Sequence, residues 1–366
     1  MKYSFDEVLC DCTKLGTKIS TDQYLSTGKY PIVDQGQNEI AGYKNEPEGL
    51  FNDVPAIIFG DHTRIVKYVD KPCFLGADGV KVLLPVQKNA NCKYLFYQLQ
   101  NAKIPNTGYN RHFKWVKELP FVVPSSEEQE NVVSTLDKVT ALISLRQQQL
   151  EKFDQLVKSR FTEMFGDPII NPMGWPEHQL SEYIEFLTSG SRGWAKYFSE
   201  DGEYFITIKN VKNCQITLDD VQHILPPDNA EAKRTRVQEG DLLISITADL
   251  GRTGVISKDI AEHGGYINQH LTCIRLNKQV LAPLYVAYYM ESNAGKEQFQ
   301  SKNQSAVKAG LNFDSINTLR LMVPPMAIQE AFIAFVSQVD KSKFEIQQSL
   351  EKLETLKKAL MQKYFG

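Results

Sequence analysis

Two short glycine pairs, Gly190-Ser191-Arg192-Gly193 and Gly251-Arg252-Thr253-Gly254, each set an arginine in a tight turn. An exposed guanidinium can pair with a phosphate or with O6 and N7 of a guanine. The same glycines also serve as plain turn punctuation. A second concentration of such residues runs from Tyr109 to Lys117, where Arg111, Lys114 and Lys117 alternate with Tyr109, His112, Phe113 and Trp115. Phe113 recurs as Phe313 beside a strand, however, which predicts a core position for that ring.

Covalent chemistry is harder to find. Asn171-Pro172 begins the motif with which adenine-methylating enzymes hold a flipped base, but Met173 and Gly174 do not complete it. No G-x-x-x-x-G-K-[ST] phosphate loop occurs, and the histidines are dispersed without a His-Glu-x-x-His pair. The close pair Cys10 and Cys12 lacks the second ligand pair of a zinc site, so buried free thiols are expected for all six cysteines. The chain is therefore expected to be non-catalytic, with no metal or cofactor of its own.

Its 366 residues suit about two domains, and 42% hydrophobic with 23% charged residues is ordinary globular composition. A formal charge of −3 does not advertise a nucleic-acid binder, so any such contact must come from local patches or a basic partner. No apolar run approaches the ~18 residues of a spanning helix. The opening "MKYSFDEVLCDC" carries acids where a secretory signal is apolar, which predicts a cytoplasmic protein.

An internal repeat organises these residues. Offset by 200, His112 to Gly166 aligns without a gap on Asn312 to Gly366, and 16 of the 55 positions are identical. Alternating steps of four and three from Val132 pass Leu136, Val139, Ile143, Leu150 and Phe153. The same walk from Phe332 passes Val336, Val339, Ile346, Leu350, Leu353 and Leu360. This heptad seam predicts two helices of about 40 residues, each ~60 Å long. Ser125 and Glu128 form a capping box at the first start, Gly166 before Asp167-Pro168 ends it, and Pro324-Pro325 opens the second.

The remaining segments repeat as well. Runs at 54–60, 64–69, 79–86, 94–99 and 118–123 read strand, strand, strand, helix, strand, and those at 240–246, 253–257, 270–276, 285–290 and 318–323 repeat the order. Globule, long helix, globule, long helix implies antiparallel helices and an approximate two-fold axis.

That order, with Phe165-Gly166-Asp167-Pro168 closing the first helix and "NPMGWPEHQLSEY" (171–183) opening the second globule, resembles the DNA specificity subunit of type I restriction–modification systems. "LSTGKYPIVDQGQ" (25–37) and "RVQEGDLLISITADLGRTGVI" (236–256) are similar to target-recognition segments of that family. The resemblance implies an α+β chain of two tandem mixed α/β target-recognition domains separated by two long antiparallel helices in a coiled coil. The boundaries expected are recognition domains at 1–123 and 167–323 and spacer helices at 124–166 and 324–366. It further implies double-stranded DNA as ligand, a bipartite interrupted target, two docked adenine methyltransferase subunits that use S-adenosylmethionine, and restriction subunits. Candidate contacts then include Gln35, Gln37, His62 and Arg64 in the first domain and Lys196, Lys209, Asn268 and Gln269 in the second, beside Arg111, Lys114, Arg192 and Arg252; Asn268-Gln269 also reads as a strand cap. A coiled-coil adaptor joining two protein-binding modules is the competing reading, and a self-contained enzyme a third.

Overall fold

The computed structural model describes residues 2–76, 78–303 and 310–366. It divides into two compact units, one formed by Met1–Gln149 with Ile346–Gly366 and the other by Leu150–Glu345. Each unit thus contains part of each long helix, Ser126–Phe165 and Met326–Phe365.

In the first unit the strands are β1 (Leu9–Asp11), β2 (Tyr30–Val33), β3 (Gly42–Lys44), β4 (Ala56–Gly60), β5 (Val66–Val69), β6 (Phe74–Leu75) and β7 (Val80–Pro85). They form one antiparallel sheet in the order β1-β7-β4-β5 and a second in the order β3-β2-β6, in which β2 and β6 are parallel. Ala-Ile-Ile-Phe-Gly of β4 is buried throughout, as a central strand covered on both faces must be. Helix Cys92–Gln100, capped by the Asn91 side chain, presses Tyr94 and Leu95 onto this sheet. Its Tyr97 meets the long helices, packing with Leu136 and Met361, while Phe365 lies against Tyr94 with ring centroids 5.2 Å apart. Early residues of one helix therefore meet late residues of the other, and the pair is antiparallel.

The second unit repeats the scheme with β8 (Ile184–Ser189), β9 (Glu203–Ile206), β10 (Gln222–Ile224), β11 (Leu242–Ser245), β12 (Thr253–Val255), β13 (Gly265–Ile267) and β14 (Leu271–Leu276). The main sheet runs β8-β14-β11-β12, extended by Cys214–Ile216 and Val211–Lys212; the second contains β10-β9-β13, with β9 and β13 parallel. Strand for strand, this is the order and polarity of the first unit. Helix Pro283–Glu291 stands where Cys92–Gln100 stood, and its Tyr285 packs with Phe161, Phe165 and Phe332 of the long helices. Lys343, a basic interruption of the seam, bonds Asp154 on the facing helix, so this pair is antiparallel too.

Leu136, Val139, Val336, Val339 and Leu350 of the seam are buried; Ile143, Leu150, Phe153, Ile346, Leu353 and Leu360 are half-buried. The capping box forms as expected, Glu128 accepting from the Ser125 amide at 3.0 Å and its hydroxyl at 2.8 Å. Three expectations differ. Pro325 precedes the second helix, which begins at Met326, so it fills the position of Ser125 and not the first helical one. Phe113 is buried beside Phe5 and Phe59, but Phe313 is 41% exposed, because the aromatic partner Phe5 is replaced by Leu180 in the second unit. Cys10 and Cys12 are half-buried with sulfurs 3.1 Å apart, and burial, then the Cys10 thiol, pushes Cys12 up to about 12; the other four cysteines are buried.

One repeated residue locks each helix start. Gln129 and Gln329 are both fully buried. The Gln129 amide donates to Asn89 O and Pro124 O, each at 2.9 Å, and accepts from Asn91 N at 2.8 Å. Gln329 does the same with Val280 O at 3.1 Å, Pro324 O at 2.8 Å and Ala282 N at 2.9 Å. Among the described residues no helix is long and apolar enough to cross a membrane.

Candidate nucleic-acid interface

In the first unit three loops leave the strand ends on one side. Val33 of β2 lies opposite Leu75 of β6, so the segments that follow these two residues start together. Gly60 ends β4 opposite Val80, the start of β7, which opens the 61–65 turn toward the same edge. Gln35 ties these loops: its amide donates to Asp78 O at 3.0 Å and accepts from His62 N at 3.1 Å, and its carbonyl accepts the Thr63 hydroxyl at 2.7 Å. Lys67, whose amine burial pushes down, holds the same loop through Asn38 O.

The 101–112 segment is fastened across that turn. Arg64, in the left-handed region at φ 62°, donates through Nη1 to Ile104 O at 3.2 Å. His112, placed by the sequence in a basic-aromatic patch, is instead fully buried. Its amide and Nδ1 both reach Asp61 O, at 2.8 and 2.9 Å. A carbonyl only accepts, so Nδ1 carries the proton. What the clasp presents outward is Tyr109, 87% exposed and stacked on His62 at 4.6 Å, followed by exposed Arg111 and Lys114.

The second unit gathers its loops at the corresponding end. Ser189 of β8 is opposite Thr272 of β14, Ser245 of β11 opposite Leu271, and Ile206 of β9 opposite Ile267 of β13. The loops 190–197, 207–210, 246–252 and 268–270 therefore converge. Asn268 N donates to Ile206 O at 3.2 Å and Ile246 N to His270 O at 2.9 Å, cross-bracing them. Asn268 spends its side-chain oxygen on His270 N, and Gln269 donates to His270 Nε2, which leaves Nδ1 to donate to the Thr247 hydroxyl at 2.6 Å. Arg252 is paired with Asp249 inside its own turn. Arg192, Lys196 and Lys209 are exposed, Lys196 lying over the Tyr197 ring at 4.9 Å. Each unit thus carries polar and basic loops at the same end of the same sheet pair, and no group of three or more metal-ligating side chains occurs among the described residues.

A family model described as the type I restriction modification DNA specificity domain matches the chain twice, over residues 7–154 and 172–358. The chain belongs to this family. Specificity subunits are the non-catalytic components of such systems, and the two matches correspond to the two copies of the strand order. The specificity subunit of the Escherichia coli type I restriction enzyme EcoR124I/EcoR124II is 26% identical over 48% of this chain, an alignment that spans about half of that relative, 49%. A putative MjaX specificity subunit from Methanocaldococcus jannaschii is 23% identical, over 95% of this chain and 86% of its own length. The crystal structure of the type I S subunit from M. genitalium superposes with a TM-score of 0.56 at 16% identity, covering 100% of this chain and 96% of that one, a likeness of fold.

Within this specificity-subunit frame the candidate side chains divide. Arg252, Asn268 and Gln269 are engaged within their own loops, Gln35 and Arg64 by neighbouring segments, and His62 is under Tyr109. Gln37, Arg111, Lys114, Arg192, Lys196 and Lys209 face solvent. Sequence reasoning missed Arg234, whose fork holds the 188–191 segment, and Asp61, the clasp's acceptor. It also missed Lys14 and Lys18, which follow β1 and, with Lys81 of β7, line an open cleft of about 350 Å³. The last group was findable, since 12–18 follows β1 as 190–197 follows β8; Arg234 lies in the charged run "EAKRTR", which carries no local signal.

Proposed function

We propose that this chain is the sequence-reading subunit of a type I restriction–modification assembly, contacting double-stranded DNA with the strand-end loops of each unit. The carrying observation is the pairing of one scaffold with two loop sets: strand order and polarity repeat, but the loops that converge at the reading end differ in length and residues. Direct readout depends on side chains at base edges, so two different loop sets select two different half-sites. The target is bipartite, interrupted and asymmetric. The recognition domains are 1–123 and 167–323, and the helical segments 124–166 and 324–366 separate them. Free readers would be Gln37 and Arg111 in the first and Arg192, Lys196 and Lys209 in the second, with Lys114 on phosphate.

Two adenine methyltransferase subunits dock on the repeated framework and use S-adenosylmethionine on a base flipped from each half-site; restriction subunits complete the nuclease in the cytoplasm. The near-neutral overall charge fits a subunit whose partners supply part of the phosphate grip. The test is footprinting and methylation mapping of the chain reconstituted with its methyltransferase. Two protected blocks flanking an unread stretch are expected; one uninterrupted block, or no protection, refutes the proposal.

A further inference from the structure

We infer that Arg192 reads a guanine in the half-site of the second unit and that Arg234 is the residue that positions it, an inference resting on the DNA-reading role proposed above. Of the arginines in candidate loops, Arg64 is bonded to Ile104 O and Arg252 to Asp249, while Arg111 and Arg192 are exposed, and only Arg192 has a second arginine bracing the segment that carries it. Arg192 is exposed, and among the described residues no hydrogen bond or ion pair engages its guanidinium.

Its backbone, by contrast, is fixed on both sides. Gly190 N donates to Leu271 O at 3.1 Å, and a Cβ on Gly190 would sit 2.1 Å from Asn268 O, so the chain lies directly on the neighbouring backbone. Gly193 takes the left-handed conformation at φ 82°, and Trp194 is buried against Phe205 and Tyr266 at 5.7 and 5.3 Å. Arg234, from helix Ala230–Thr235, closes the remaining side. Its Nη1 donates to Ser189 O at 3.0 Å and to the Thr188 hydroxyl, and Nη2 donates to Ser191 Oγ at 3.1 Å.

A planar fork holding three oxygens fixes direction as well as distance. A phosphate contact needs no such precision, since attraction between charges tolerates a loose loop. Bidentate pairing with guanine O6 and N7 does need it. A rigid loop carrying an unengaged guanidinium at the reading end is therefore built for base readout. The first unit has no helix between β3 and β4 corresponding to Ala230–Thr235, so this device belongs to one half-site.

The test uses the full chain with its methyltransferase and S-adenosylmethionine on a library randomised over the target. If the unaltered complex yields no two-part consensus, the functional reading itself fails and this inference with it. Given such a consensus, Arg192→Ala should reduce the preference for guanine at one position of one half about tenfold, in line with one bidentate pair. Arg234→Gln should relax the same position by less, leave the other half unchanged, and be partly rescued by Arg234→Lys. A uniform loss over all sequences with a shallower salt dependence would place Arg192 on phosphate and overturn the guanine assignment. An unchanged consensus in Arg234→Gln, with or without lowered thermal stability, overturns the positioning role.

Discussion

Replacing Gln329 by leucine probes the repeated clamp with little change of volume. The side chain is fully buried and makes three hydrogen bonds, to Val280 O, Pro324 O and Ala282 N. Leucine fills the space and leaves all three main-chain groups without that partner. A buried group stripped of its hydrogen bond costs about 1–3 kcal/mol, and a carbonyl with a second lone pair falls at the low end. A loss of about 3–5 kcal/mol follows, which at a urea slope of ~2 kcal/mol/M moves the midpoint by about 1.5–2.5 M. The measurement is urea unfolding followed by circular dichroism and by the fluorescence of Trp175 and Trp194, which lie in the second unit. Gln129→Leu should shift instead the signal of Trp115, in the first. Gln329→Glu is the sharper variant: it keeps an acceptor for Ala282 N but faces two carbonyls with a carboxylate, so at pH 7 it should be at least as damaging as leucine. Burial beside carbonyls raises that glutamate's folded value above its unfolded one, and the damage should lessen as pH falls and a proton supplies one donor. If Gln329→Leu costs under about 0.5 kcal/mol, or Gln329→Glu is harmless at pH 7, the three bonds do not hold the helix start.

Asp340 is half-buried, accepts from Gln215 Nε2 at 2.6 Å, and is held above the usual aspartate range chiefly by desolvation. A raised folded value penalises the fold at pH above it and relaxes as pH falls toward the ordinary 3.8. Asp340→Asn, which retains an acceptor for Gln215, should therefore raise the urea midpoint at pH 7, and the gain should fade near pH 4; a gain independent of pH excludes charge burial as its cause. Arg252 is paired within its turn to Asp249, so Arg252→Ala and Asp249→Ala should weaken DNA binding alike in a gel-shift titration. A far larger loss for Arg252→Ala would make it a DNA contact.

The framework was legible because its signals are local. Period-3.5 apolar positions, a Ser125-Glu128 box and a Gly166-Asp167-Pro168 stop each act within one or two helical turns, and β-branched runs such as Ala56–Gly60 declare strands by themselves. Side-chain duty in the strand-end loops was not legible, since it is set by partners far away in the chain. Gln35 is consumed by Asp78, 43 residues on, Arg64 by Ile104 at 40, and Ser189 is held by Arg234 at 45. Composition marks all of these as polar loop residues and cannot separate those that hold the loop from those the loop holds out. The Phe113/Phe313 pair shows the limit of the repeat itself: backbone positions recur, but the burial of the ring does not.

The clamp also bears on whether one unit can be exchanged without disturbing the other. All three partners of Gln129, and all three of Gln329, are main-chain atoms. A main-chain carbonyl is present whatever residue occupies position 89, and an N–H for any residue but proline at 91, so one repeated side chain can seat a long helix against a globule of different sequence. Side-chain contacts add to it: Tyr97 donates to Asp137 at 2.6 Å and packs with Leu136 and Met361, Lys93 pairs with Asp137 at 2.8 Å, and Tyr94 packs on Phe365. Exchanging residues 1–123 for those of a relative that keeps both tyrosines should therefore give a folded chain with one new half-site and the other unchanged, measured by methylation mapping of the reconstituted complex. The cut falls after Phe121, so the Phe5, Phe113 and Phe121 cluster moves as a whole. Changes in both halves would mean that the units do not read independently; a chain that unfolds despite the retained tyrosines would mean that the helix seat depends on more than the main chain.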